Sequence, residues 1–195
     1  MVPTWRRRMR RSVMWSVVAV LLGGMTCGVE ASSDATLVTP RVRSSDPAIA
    51  SALAEAESRS ATFRSLVRTI EGTDGIVYVE RGHCGHGVPA CLSLSVVSGG
   101  GYRLLRILVG TSDNVLSLMA TIGHELRHAI ELLTEPAVRT SAAAYLYYLR
   151  EAPTSRDAFE TPAAILTGGI VARELRYFAE NAHSMTLTRR TDPQR

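Results

Sequence analysis

A chain of 195 residues has room for one domain, and its 46% apolar content excludes a polar, disordered protein. The formal charge of +4 invites a nucleic-acid partner, but its distribution excludes one. Five of the 22 basic residues and one of the 18 acidic residues fall in the first 31 positions, so the remainder carries 17 of each and is neutral overall.

Those first residues have the parts of a secretory signal. Arg6, Arg7, Arg8, Arg10 and Arg11 precede an apolar stretch from Val13 to Leu22, and small residues then lead to Val29-Glu30-Ala31, a small-x-small cleavage site. The apolar run is too short for a membrane span. Residues 1–31 are therefore expected to be a signal peptide, and the protein to be exported, periplasmic or secreted, with no stable span once the signal is cut. Cys27 offers a lipoprotein alternative, the doubled arginines a twin-arginine signal, and a retained N-terminal anchor a third. If Cys27 leaves with the leader, Cys84 and Cys91 remain, and outside the cytoplasm the default for such a pair is a disulfide. A structural zinc on His83, Cys84, His86 and Cys91 is the alternative, suited to a reducing compartment.

Residues 32–45 are polar and without periodicity, and read as a flexible lead-in to a single domain over 46–185. Asp46-Pro47 predicts a helix start, with Ile49, Leu53, Ala56, Phe63, Leu66 and Ile70 on one stripe of a helix reaching Ile70. Three strands follow at Ile76–Glu80, Cys91–Val97 and Tyr102–Val109, joined by connections that favour an antiparallel meander. Ser112-Asp113 caps a helix over 113–134 whose wide apolar face, including Met119, Ile122, Leu126 and Ile130, makes it central. Further helices are predicted over 136–150 and from Ala158 or Pro162 to Asn181, the last weakened by Gly168-Gly169, before a loose polar tail over 186–195. The expected fold class is α+β, a small antiparallel β meander packed on a helical bundle.

The central helix carries His124-Glu125-Leu126-Arg127-His128. Residues four apart stand on one helical face, so His124 and His128 can grip one metal ion, and Glu125 can reach a water beside it. A catalytic zinc site takes a third protein ligand and leaves one position open. Glu131 sits about 7.5 Å further along the axis than the midpoint of the histidines, which crowds the ligands onto one side; a role behind a ligand, or at the surface, suits it better. Glu160, at the start of the last helix, can approach from the opposite side. Glu131, Glu151, Asp157 and Glu174 are the alternatives to it.

H-E-x-x-H with a downstream glutamate resembles the zincin metallopeptidases, in particular the gluzincin branch. The resemblance implies zinc held by His124, His128 and Glu160, with Glu125 as general base, in a peptidase that acts on peptide or protein substrates. It also implies that Tyr102–Val109, as an edge strand, would hold extended peptide by β-augmentation. Two family features are missing: Ala164 stands where a Glu-x-x-x-Asp motif has its aspartate, and no large second domain is present. Tyr145, Tyr147, Tyr148, Tyr177 and His183 are candidates to steady an oxyanion. The alternative to an enzyme is an inactive zincin-like protein that binds metal or a partner at the cell envelope.

Overall fold

The strands β1 (Val42–Arg43), β2 (Gly75–Arg81), β3 (Ala90–Gly99) and β4 (Tyr102–Val109) form one sheet in the order β1-β2-β4-β3. The helices are α1 (Pro47–Arg59), α2 (Ala61–Glu71), α3 (Val115–Leu133), α4 (Ser141–Glu151) and α5 (Pro162–Arg190). This computed structural model describes residues 39–190 except 86, 113 and 153–158, with side chains described as far as 181. The leader, Asp113, Asp157, the side chain of His183 and the end of the tail lie outside the described residues. The fold class is α+β, and no described helix is long and apolar enough to cross a membrane.

The sheet is not an antiparallel meander. β4 pairs antiparallel with β3 but parallel with β2, and β1 pairs parallel with β2. The reason lies in the two connections. Gly100 and Gly101, both at positive φ, make the two-residue turn that reverses β3 into β4. The stretch between β2 and β3 is eight residues and crosses the end of β4, where Gly82 donates to the Val109 carbonyl and Gly110 to the Pro89 carbonyl. β4 is thereby interior, which removes Tyr102–Val109 as an edge for substrate; β3 takes that place. Only part of its edge is open, because the amide of Val96 donates to Ser141 at the start of α4.

One face of the sheet is buried at every second residue, as the pleat requires: Val77 and Val79 on β2, Leu105, Ile107 and Val109 on β4. Phe63 and Ile70 of α2 and Met119, Ile122 and Leu126 of α3 close over it. β1 falls inside the expected lead-in: Val42 is 6% exposed and opposes Val77, so burial organises a segment that composition describes as polar.

The expected single helix from Asp46 breaks at Ser60. Asp46 accepts from the amides of Ala48 and Ile49, as a cap should. Ser60 then ends α1 and starts α2, its hydroxyl accepting from the Phe63 amide. Glu174 on α5 completes this corner, accepting from the Thr62 amide at 3.0 Å, the Thr62 hydroxyl at 2.8 Å and the Ser60 hydroxyl. Burial pushes the Glu174 carboxyl up, but these hydrogen bonds and the nearby charge of Arg64 outweigh it and hold the group below the usual range. A depressed carboxyl stabilises the fold above its unfolded value, and that contribution disappears as pH falls through the folded one. Glu174→Gln should therefore cost about 1 kcal/mol at pH 7, as loss of a cap does, and nothing once the pH is well below 4, measured by urea unfolding at both. An equal difference at both pH values would refute the charged cap.

α4 starts at Ser141 rather than near Pro136, with Thr140 as its cap. Residues 135–140 cannot join it because the carbonyls of Glu135 and Val138 turn back to a buried arginine, Arg103. α5 runs unbroken through Gly168-Gly169 and on to Arg190, into the expected loose tail.

Candidate metal centre

α3 and α5 run antiparallel at close range. A Cβ on Gly123 would stand 3.1 Å from Val171, and one on Gly168 would stand 3.1 Å from the Cβ of His124. Gly168 is thus the contact that lets α5 lie against the first histidine, which outweighs the helix propensity it gives up. The segment leading into α5 then delivers Glu160 to the histidine pair. Donor atoms of His124, His128 and Glu160 lie within 4.8 Å of one another. Glu160 Oε2 is 3.1 Å from His124 Nε2 and 3.8 Å from His128 Nε2.

These three residues fit a zinc ion. His128 Nε2 and Glu160 Oε2 are both buried, although Glu160 as a side chain is 39% exposed, and neither atom has a hydrogen-bond partner. Buried polar atoms left unpaired are costly, and two of them converging on one point are what an ion would satisfy. Two imidazole nitrogens and one carboxylate are the donors of a three-ligand zinc site.

Behind the donors stands a chain of supports. His128 Nδ1 donates to Glu131 Oε2 at 3.0 Å, which turns Nε2 toward Glu160. Thr161, the residue after Glu160, donates its hydroxyl to Glu131 Oε1 at 2.7 Å and accepts from the Ala164 amide to cap α5. Burial pushes the Glu131 carboxyl up, but the bonds from His128 and Thr161 hold it below the usual range and keep it anionic. For His128 burial pushes the ring down, yet Glu131 and the other carboxylates more than reverse it. His124 goes the other way, because burial dominates there and favours the neutral ring that a metal requires. Glu131→Gln should weaken zinc binding about 10- to 100-fold. Competition against a chromophoric chelator measures this, and unchanged affinity would remove Glu131 from the site's support.

Glu125 lies 6% exposed beneath the pair. Its Oε2 accepts from the Leu92 amide of β3 at 2.7 Å, while Oε1 stands 3.9 Å from His124 Nε2. Burial pushes this carboxyl up to about 7, against His128 and the Leu92 amide, which pull it down. A carboxylate near neutrality, with one oxygen anchored and one facing the histidines, is suited to exchanging protons.

Two cavities meet here. One of about 680 Å³ reaches His124, the other of about 280 Å³ reaches His128, and both share Val88, Ala90, Glu125 and Glu160. The smaller is walled by Leu92, Leu94, Tyr148, Phe159 and the Cys84–Cys91 disulfide, whose Cα atoms are 5.8 Å apart. The disulfide removes the cysteines as zinc ligands, and His83 is exposed.

The alternative ligands are engaged elsewhere: Glu131 with His128, Glu174 at the α2 terminus, and Glu151 at the surface with Arg150. Among the tyrosines, Tyr148 is buried and gives its hydroxyl to the His128 carbonyl at 2.9 Å, so the hydroxyl braces the second histidine while the ring walls the smaller cavity. Tyr145 and Tyr177 are exposed. The Leu92 amide and Thr161 escape sequence reading, the first because backbone donors carry no residue signature. Thr161 had one: a threonine before Pro162 is a helix-start signal. Comparison of the chain with protein-family models, with curated proteins and with solved structures returned no match.

Proposed function

We propose that the protein is a zinc-dependent hydrolase, most simply a peptidase, with His124, His128 and Glu160 holding the metal. The observation that carries this reading is the convergence of two buried, unpartnered donor atoms beside a buried carboxylate held near neutrality. Zinc in such a site supplies Lewis acidity, polarising a carbonyl oxygen and easing the ionisation of a water.

The chain's own residues divide the remaining tasks. Glu131 and Thr161 fix the orientation of His128, and Gly168 lets α5 bring Glu160 alongside. Glu125 takes a proton from the attacking water at Oε1 while the Leu92 amide steadies Oε2, and then returns the proton to the leaving amine. The paired cavities give a substrate room on both sides of the reacting bond, with apolar walls suited to a peptide's side chains. The disulfide suits an exported destination.

Metal analysis of the purified protein tests the reading. One zinc per chain is expected for the wild type, with a large loss of affinity in Glu160→Ala and in His128→Ala. A wild type without stoichiometric metal sinks the proposal. Undiminished zinc affinity in Glu160→Ala would send the third ligand elsewhere.

A further inference from the structure

We infer that Arg176 recognises a carboxylate on the substrate about three residues from the bond that is cut, either the substrate's C-terminus or an aspartate or glutamate side chain. This rests on the hydrolase reading above and adds a substrate class to it. The larger cavity starts at His124, Glu125 and Glu160 and continues between α5 and the N-terminal half of α3. Beyond the histidine its walls alternate apolar or small side chains, Leu116, Ala120 and Ala172 among them, with the uncharged polar Asn114, Ser117 and Thr121. Arg176 is the only arginine in this lining, among the described residues.

Position sets the spacing. Gly168 is the α5 residue against His124, and Arg176 follows it by eight residues, about 12 Å along the helix axis. Side chains on a helix lean toward its N-terminus, which brings the guanidinium back toward the metal donors. An extended peptide advances about 3.3 Å per residue, so roughly three residues bridge the interval. Charge supports the assignment. Among the described residues, Arg59, Arg81, Arg103, Arg106, Arg127, Arg139 and Arg150 each have a carboxylate partner; Arg176, like Arg41, Arg43, Arg64, Arg68 and Arg173, does not, but it alone of these lines the cleft. An arginine fork offers paired N–H donors that match a carboxylate.

The test uses zinc-loaded protein and two pairs of peptides with apolar residues around the cut bond. In one pair a free C-terminus is compared with its amide. In the other the C-terminus is amidated throughout and glutamate is compared with glutamine at the third residue from the cut. The wild type should prefer the carboxylate in at least one pair by about 10- to 100-fold in kcat/KM, and the pair that responds identifies the source. Arg176→Ala should bring that preference close to one, and Arg176→Glu should reverse it in favour of the uncharged member of the pair. A preference retained by Arg176→Ala overturns the inference, as does a wild type with no preference. Binding of the same peptides to zinc-loaded Glu125→Gln, with and without Arg176→Ala, separates this inference from the hydrolase reading. If the wild type cleaves nothing but carboxylate binding still depends on Arg176, the hydrolase reading fails and the subsite stands. If binding shows no such dependence, the subsite falls whatever the cleavage result.

Discussion

Glu125→Gln should abolish hydrolysis while zinc stays in place. The glutamine keeps the shape of the side chain, and its carbonyl oxygen can accept the Leu92 amide bond that now ends on Oε2. What is lost is the oxygen proposed to exchange a proton, and general acid–base catalysis of this kind is worth on the order of 10²- to 10⁴-fold in kcat. Zinc stoichiometry should be unchanged, because neither oxygen of Glu125 belongs to the converging donor set. A variant that cleaves as fast as the wild type would take Glu125 out of the chemistry. Wild type and variant that both hold zinc and are equally inert would leave a metal-binding scaffold without turnover.

The same substitution has a consequence for stability that needs no substrate. Burial raises the Glu125 carboxyl to about 7, so the fold favours its protonated form. That contribution is fully present below the unfolded value near 4.5 and is lost as pH rises through 7. Glutamine is neutral throughout. Metal-free Glu125→Gln should therefore be more stable than the metal-free wild type by on the order of 2–3 kcal/mol at pH 8, with the difference closing toward pH 4. Urea titrations across that range measure it, and a pH-independent difference would mean that Glu125 is not the titrating group. If Glu125 is the proposed general base, a carboxylate that costs the fold stability at neutral pH is an expected compromise.

Replacing Arg103 should unfold much of what the site depends on. Arg103 is 3% exposed and stands in the buried row of β4, where Leu105, Ile107 and Val109 follow at every second residue. Its guanidinium donates to Asp74 through Nε at 2.9 Å and Nη2 at 2.6 Å. It also caps the end of α3, donating to the carbonyls of Leu132 and Leu133, and ties down the turn beyond through Glu135 and Val138. Those carbonyls have no partner within the helix, and the arginine's charge suits that end of the dipole. Arg103→Met takes the arginine's donors from the Leu133 and Val138 carbonyls and leaves Asp74 only the exposed Arg139 at 3.2 Å, at a cost of about 3–5 kcal/mol. Arg103→Lys cannot serve two groups with one ammonium and should recover only part of that loss. Urea unfolding of both variants and of Asp74→Asn checks the assignment. If Arg103→Met came within 0.5 kcal/mol of the wild type, as a neutral surface substitution does, the assignment would be wrong.

The two predictions concern opposite kinds of knowledge. Glu125 was legible in the chain because helical periodicity is local: His124, Glu125 and His128 share a face in any helix, and the apolar residues around them required that helix to be central. Strand positions were legible for the same reason, as in the match of β4 to its alternating residues. Cys84 and Cys91 could be paired by arithmetic. Glu160 came within reach because two histidines leave a ligand position to fill, and Glu131 could be set aside on rise per residue alone.

Pairings across the chain carried no such local signature. Nothing in the residues of β4 announces that α3 will end against Arg103. The parallel β2–β4 pair depends on a loop crossing a strand end, which short connections did not suggest. Gly168 looked like a weak point in a helix until α5 was placed against His124. The sequence by itself determined the three residues of one helical turn and the kinds of element around them, since those follow from periods of two and 3.6 residues. Tertiary structure decided which oxygen of Glu125 is anchored, that Thr161 steadies the carboxylate behind His128, and where the cleft meets a cation. Each of these depends on atoms 30 or more residues apart or on opposing helices, brought together only when the apolar faces bury each other.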